Sequence, residues 1–161
     1  RTQGTDCMII DATGYVTKPL QCYFNVRKST DQSDISAGGS DIDVAFGTEV
    51  FDTGGNFASN TFTAPVTGKY FLYTSLRLDN VDTAAAYYNA KIVTSNRDYR
   101  WIEQFNTSGG DYNYFTVQVT AIADMDASDT AKVQILQNGG TAQTDVREDS
   151  TRTYFSGYLL G

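Results

Sequence analysis

Short runs of alternating apolar and polar residues constrain the fold of this chain more than any other feature of its sequence. From residue 114 to 121, one set of alternate positions is Phe115, Val117, Val119 and Ala121. The intervening set is Tyr114, Thr116, Gln118 and Thr120. Successive side chains of a β-strand point to opposite faces, so this pattern predicts an antiparallel strand with one buried face. No long window shows a helical period.

Paired glycines separate the strand candidates. They fall at residues 38–39, 54–55, 109–110 and 139–140, and glycine readily adopts the positive φ that tight turns need. About eight to ten short strands with regular turns predict an all-β antiparallel sandwich or jelly roll. The 161 residues, of which 40% are hydrophobic, provide enough material for one core.

The N-terminal segment has a different character. Residues 1–18 are polar and weakly patterned, so we interpret them as a lead-in, the end of a preceding module, before a head domain at 19–161. Cys7 lies in this segment and Cys22 just after it. Two cysteines allow either one disulfide or two free thiols.

Two runs are apolar at successive positions, which places apolar side chains on both faces of a strand. One covers residues 70–73, and the other covers 154–155 and continues at 158–160. A strand in a two-layer sandwich needs only one apolar face, so a subunit interface is one explanation. The other is a central strand that loops cover.

The charge balance and the missing residue types exclude several functions. The net charge is −7, and an acidic surface repels nucleic acid and anionic membranes. No apolar run approaches the roughly 20 residues that span a bilayer. Histidine, the commonest general base and metal ligand, is absent. We expect no catalysis, no cofactor, no metal site, no nucleic-acid partner and no membrane insertion.

Three polar stretches suggest sites but have simpler explanations. Residues 124–129 and 52–56 hold carboxylates that suit calcium, yet solvated turns have the same composition and we favour them. Residues 106–108 match the glycan acceptor pattern Asn-Thr-Ser, which also arises by chance.

Residues 56–71, Asn-Phe-Ala-Ser-Asn-Thr-Phe-Thr-Ala-Pro-Val-Thr-Gly-Lys-Tyr-Phe, resemble the signature of the C1q-like heads, which belong with the tumour necrosis factor jelly rolls. The closing Phe-Ser-Gly-Tyr-Leu-Leu at 155–160 and the opening Pro-Leu-Gln-Cys-Tyr-Phe at 19–24 are also similar to that family. The resemblance implies a jelly-roll head with Phe24, Phe62 and Tyr70 in its core.

The same resemblance implies a homotrimer with three-fold symmetry and aromatic residues along its axis. A trimer interface would bury the second apolar face of the strands that are apolar on both faces. We expect the trimer interface to include Phe115, Tyr154, Phe155 and Tyr158.

Two shorter segments resemble one particular group within this family. Residues 11–19, Asp-Ala-Thr-Gly-Tyr-Val-Thr-Lys-Pro, and 46–52, Phe-Gly-Thr-Glu-Val-Phe-Asp, look like stretches of such heads in bacteriophage tail-fibre and virion proteins. One departure is the Gln-Cys-Tyr-Phe at 21–24, where phage versions often have Gln-Pro-Ala-Phe.

The segment 97–101 holds the chain's single tryptophan beside two arginines and a tyrosine. Arginine beside aromatic rings suits sugar or protein recognition, which makes ligand-binding candidates of Arg97, Tyr99, Arg100 and Trp101. Asp111 and Tyr112, in the loop at 109–114, extend that candidate site. The alternative is that Tyr99 and Trp101 alternate into the core and the arginines are solvated.

Three functional hypotheses follow. The first is a viral structural protein of the virion surface, a trimeric fibre head that binds a host-surface receptor, glycan or protein. The second is a secreted or cell-surface C1q-like adhesion or ligand module of non-viral origin. The third is a carbohydrate-active enzyme that uses an unassigned carboxylate pair.

Overall fold

The computed structural model of the chain describes residues 8–105 and 109–160. Within these ranges there are fourteen strands and no helix, so none there is long and apolar enough to cross a membrane. The strands are β1 (Ile9–Ile10), β2 (Val16–Thr17), β3 (Tyr23–Arg27), β4 (Ile42–Asp43), β5 (Thr48–Asp52), β6 (Phe57–Ala58), β7 (Thr61–Thr63), β8 (Gly68–Val81), β9 (Tyr87–Thr94), β10 (Asp98–Glu103), β11 (Tyr112–Met125), β12 (Thr130–Asn138), β13 (Asp145–Val146) and β14 (Tyr154–Leu159).

Two six-stranded antiparallel sheets form the head. The first has the order β10-β9-β12-β7-β6, with β4 also paired to β12. The second has the order β11-β8-β14-β3-β5, with β13 also paired to β8. Buried residues of both sheets join in one hydrophobic core. The prediction of an all-β antiparallel sandwich is confirmed.

Aromatic rings fill the centre of this core. Phe24 of β3 stacks on Phe62 of β7 with ring centroids 4.5 Å apart, and Phe155 of β14 meets Phe24 edge-on at 5.0 Å. Tyr70 of β8 is fully buried, and its hydroxyl donates a hydrogen bond to the carbonyl of Val66 at 2.7 Å. The buried phenol therefore has the partner that burial of a hydroxyl requires.

The lead-in contains a small β-hairpin apart from both sheets. β1 and β2 pair only with each other, and a carboxylate oxygen of Asp11 accepts hydrogen bonds from the backbone N–H groups of Thr13 and Tyr15. Gly14 completes the turn with a φ of 92°. The segment is thus locally structured, whereas a domain boundary near residue 18 stays a prediction.

The structure shows the oxidation state of one of the two cysteines. Cys22 is buried in the core cluster and its thiol is free. The side-chain amide of Asn56 donates a weak hydrogen bond to the sulfur at 3.7 Å, and burial raises the pKa of the thiol to about 11. Cys7 lies outside the described residues.

Candidate assembly face

Alternation along the second sheet sends one set of side chains into the core and the other to the outer face. On β8, Tyr70 and Leu72 are fully buried, whereas Phe71 and Tyr73 are half-buried on the outside. The run at 70–73 is therefore apolar on both faces because one face packs in the sandwich and the other is presented outward.

The same alternation on β14 corrects part of the expected trimer interface. Tyr154 and Tyr158 lie on the outer face, but Phe155 points inward, has 0% exposure and contacts Phe24. Phe115 also turns inward and packs against the core. Neither Phe155 nor Phe115 is presented to another subunit by this face, because each occupies the inward position of its strand.

Cross-strand pairing gathers the outward apolar side chains into rows. Ile122 lies opposite Phe71, which lies opposite Tyr158, and Tyr158 in turn lies opposite Tyr23. Ring centroids are 5.3 Å apart for Phe71 and Tyr158, 5.6 Å for Tyr73 and Tyr154, and 5.5 Å for Tyr23 and Phe51. We name this patch the aromatic face; it consists of Tyr23, Phe51, Phe71, Tyr73, Ile122, Tyr154 and Tyr158.

A groove of about 750 Å³ opens on the aromatic face. The lead-in hairpin borders this groove through Val16 and, just after β2, Lys18. The rest of its lining comes from the start of the head and from the sheet: Gln21, Tyr23, Phe24, Asn25, Phe51, Phe71, Ser156, Gly157 and Tyr158. Five of the eleven residues that line the groove are aromatic.

Charges farther along β8 are paired within the chain. The guanidinium of Arg77 contacts the carboxylates of Asp79 at 2.7 Å and Asp149 at 3.1 Å. Hydrogen bonds from Thr151, together with Arg77, lower the pKa of Asp149 to about 2. Burial and the adjacent Tyr73 raise the pKa of Tyr154 to about 12. At neutral pH that phenol is therefore uncharged.

The predicted ligand segment lies on β10, an edge strand of the first sheet, and the loop before it. Tyr99 and Trp101 are half-buried and pack against the core, and Trp101 lies 6.0 Å from the ring of Phe115. Arg97 and Arg100 are exposed, and Arg100 pairs with Asp98 at 2.7 Å. The structure therefore exposes the two arginines and leaves the two aromatic rings half-buried.

Asp111 and Tyr112 lie at the start of β11, beyond the other end of β10. A carboxylate oxygen of Asp111 accepts hydrogen bonds from the backbone N–H and hydroxyl of Thr83, and the other accepts one from Gln143. Asp111 thus connects two loops. The ring of Tyr112 meets Phe105 edge-on at 5.6 Å.

Three members of the aromatic face, namely Tyr23, Phe51 and Ile122, were neither among the predicted interface residues nor in the apolar runs at 70–73 and 154–160. Two of them follow from alternation alone. With Phe24 assigned to the core, Tyr23 must point outward, and the outward set that includes Tyr114 and Thr120 continues to Ile122. Phe51 has no such signal, because β5 pairs with β3 through an irregular register.

The polar stretches serve as turns in the structure. The carboxylate of Asp52 accepts hydrogen bonds from the backbone N–H groups of Asn56 and Phe57, and that of Asp129 accepts one from Asp126. No group of three or more His, Cys, Asp or Glu residues within 8–105 and 109–160 is arranged to hold a metal. The acceptor pattern at 106–108 lies outside the described residues.

Comparison with known proteins identifies the fold. No protein-family profile and no curated protein sequence matches the chain. Among solved structures, murine APRIL at pH 8.5 is 14% identical, with a TM-score of 0.61 over 87% of this chain and 99% of that chain. The globular domain of zebrafish complement 1qA protein is 13% identical, with a TM-score of 0.61 over 88% and 98%. The fold is therefore a jelly roll of the tumour necrosis factor and C1q type.

Proposed function

We propose that this chain is a non-catalytic head module that assembles into a homotrimer through the aromatic face and displays a receptor-binding surface on its outside. The observation that carries the proposal is the aromatic face itself. Seven large apolar side chains, six of them aromatic, lie side by side on the outside of one sheet. A contiguous apolar patch of this kind often marks a functional or subunit-contact surface.

The distribution of exposed apolar side chains supports this assignment. Among the described residues, the exposed large hydrophobic side chains belong to the lead-in, to the second sheet or to residues next to it, except for Val66 and Ile102. Single exposed apolar residues need no explanation, but their concentration on one side of the sandwich indicates a surface that another chain covers.

Three-fold closure is what the C1q-like resemblance implies. Ile122 lies on β11 at one edge of the second sheet, whereas Phe51 lies on β5 at the other edge. A cyclic assembly joins different parts of one surface in neighbouring copies and closes when the rotation fits. Burial of apolar area, at about 25 cal/mol per Å², would drive such closure.

Substitution of Ile122 tests the assembly. Ile122 and Ile102 are almost equally exposed, at 62% and 61%, but only Ile122 belongs to the aromatic face. We expect Ile122→Asp to convert a trimer into monomers at micromolar concentration, because a carboxylate would have to be buried at the interface. We expect Ile102→Asp to remain trimeric. Sedimentation equilibrium measures both masses.

Two outcomes of this experiment would contradict the proposal. One is a wild-type mass of 17.7 kDa at all concentrations, which would mean that the head does not assemble. The other is an Ile122→Asp trimer as stable as the wild type, which would place the interface elsewhere.

The proposal also includes a receptor-binding site on the outside of the head. Loops and edge strands of a rigid sandwich tolerate variation and commonly carry binding residues. Arg97, Arg100, Asp111 and Tyr112 are the candidate contacts that face solvent, and the acidic remainder of the surface disfavours anionic partners. Alanine changes at these positions that leave the trimer intact should weaken binding to host cells or glycans; unchanged binding would reject this site.

A virion context for the same module rests on the phage-like stretches at 11–19 and 46–52. Genes for virion structural proteins on either side of this gene would favour the virion surface as its location. Their absence would favour a secreted or cell-surface adhesion module, the context to which the two solved structures add support. Hydrolysis of surface polysaccharide by the purified head would instead reveal an enzyme.

A further inference from the structure

The lead-in hairpin exposes almost all of its apolar side chains. Ile9, Ile10, Tyr15 and Val16 are between 41% and 74% exposed, and the flanking Met8 and Leu20 are 56% and 58% exposed. Both strands of the hairpin are exposed throughout. A two-stranded hairpin is at best marginally stable in water, and burial of these side chains would stabilise it.

The hairpin lies on the side of the molecule that carries the aromatic face. Val16 and Lys18 border the 750 Å³ groove that Tyr23, Phe51 and Tyr158 also line. The connection from the hairpin to the head is fixed, because the side-chain amide of Gln21 donates a hydrogen bond to the carbonyl of Leu159 at 2.5 Å. The hairpin thus continues the apolar surface of the aromatic face.

We propose that the lead-in hairpin is an assembly arm, whose apolar side chains pack against the aromatic face of a neighbouring copy of this chain. The inference rests on the proposed function, because it assigns a further contact to the same assembly. Residues 8–20 would then take part in the assembly of the head. From the sequence, residues 1–18 are expected only to be a lead-in from a preceding module.

The area that a stable interface requires favours a second copy as the partner. A half-exposed aromatic or branched aliphatic side chain presents on the order of 100 Å², so the four most exposed members of the aromatic face present on the order of 400 Å². A specific interface buries about 800 Å² on each partner. The six exposed apolar side chains of residues 8–20 add on the order of 600 Å², which brings the surface to that size.

The chemistry of the arm agrees with this partner. Within residues 8–20 the charged side chains are Asp11, which serves the hairpin turn, and Lys18. An arm with so little charge suits an apolar surface, and among residues 8–105 and 109–160 the aromatic face has that character.

A matched pair of isoleucines tests the arm. Ile10 is 62% exposed on the hairpin, and Ile102 is 61% exposed on β10 of the first sheet. We expect Ile10→Asp to raise the dissociation constant of the assembly at least tenfold, measured by sedimentation equilibrium over a dilution series. We expect Ile102→Asp to leave that constant unchanged. At concentrations at which the chain is monomeric, both variants should melt at the wild-type temperature.

Hydrogen exchange of the hairpin amides gives a second readout that does not depend on a hairpin substitution. Amides of residues 9–17 should be protected in the wild-type assembly and should lose protection in the Ile122→Asp monomer. If they stay equally protected in that monomer, and Ile10→Asp assembles like the wild type, the arm is covered within its own copy and the inference is wrong while the proposed function stands. If the wild type never assembles, both fail.

Discussion

Gly157 of β14 shows how tightly neighbouring strands of the second sheet pack against each other. A Cβ atom at this position would lie 2.7 Å from a methyl carbon of Leu72, 2.9 Å from the ring of Phe24 and 2.9 Å from the carbonyl oxygen of Phe71. Gly157 also lines the groove of the aromatic face. The glycine of the closing motif is therefore required by packing.

Replacement of this glycine should destabilise the head. We expect Gly157→Ala to lower the free energy of unfolding by about 1–3 kcal/mol, the range for overpacked cores. Gly109 has no neighbour within 4 Å of an added Cβ atom, so Gly109→Ala should change stability by less than about 0.5 kcal/mol. Denaturant unfolding measures both; equal effects would show that the core near Leu72 relaxes freely.

Lys28 is a buried cation held by neutral partners. Its side chain is 2% exposed, and its ammonium group donates hydrogen bonds to Gln32 at 3.0 Å and to the carbonyl of Ala45 at 3.1 Å. Burial lowers the pKa of Lys28 from its usual 10.5 to about 8, although the nearby charge of Asp31 acts in the opposite direction. Burial disfavours the charged form because water no longer solvates it.

This shift predicts how stability changes with pH. Between pH 8 and 10.5 the unfolded chain binds more protons at Lys28 than the folded chain, so the free energy of unfolding contributed by this group rises with pH. The full contribution is about 3 kcal/mol. Below pH 8 the group is charged in both states and contributes no slope.

Lys28→Met isolates this contribution. The buried thiol of Cys22 titrates in an overlapping range with the opposite effect, because burial raises its pKa to about 11. The wild-type free energy minus that of Lys28→Met removes the shared background and should rise from pH 7.5 to 9.5. A flat difference would show that the Lys28 ammonium is as well solvated folded as unfolded.

At the scale of elements, alternation was sufficient for some strands and insufficient for others. The alternation at 114–121 predicts the inward and outward sides of β11 correctly, since one side of this strand packs on the core and the other does not. β13 has only two residues and exists through pairing with β8. No local pattern that short can identify a strand, because distant partners provide its hydrogen bonds.

The candidate site, like the strands, is only partly predictable from the sequence. The apolar runs at 70–73 and 154–160 indicate that a second surface exists, and the structure places its outward residues together. Which of two neighbouring residues in each run points outward depends on strand register. For this reason the sequence predicts Phe155 at the interface, whereas this residue packs in the core. The sequence prediction also does not include Tyr23, which lies on the aromatic face. The orientation of the aromatic rings of β10 also depends on strand register, and Trp101 packs inward beside Phe115.

For the whole molecule, charge and apolar surface are segregated. A trimer would carry a net charge of −21, three times that of one copy. The aromatic face contains no charged residue, and the cluster around Arg77 pairs within its own chain. Repulsion between copies therefore opposes assembly, whereas burial of the aromatic face favours it.

The last prediction concerns the response of the assembly to salt. Raising the salt concentration from 0.1 M to 1 M shortens the Debye length from about 10 Å to about 3 Å, which screens repulsion between acidic copies and leaves apolar burial in place. We therefore expect the trimer to dissociate less at 1 M than at 0.1 M NaCl, measured by sedimentation equilibrium at pH 7.5. Stronger dissociation at high salt would instead mean that ion pairs between subunits hold the assembly.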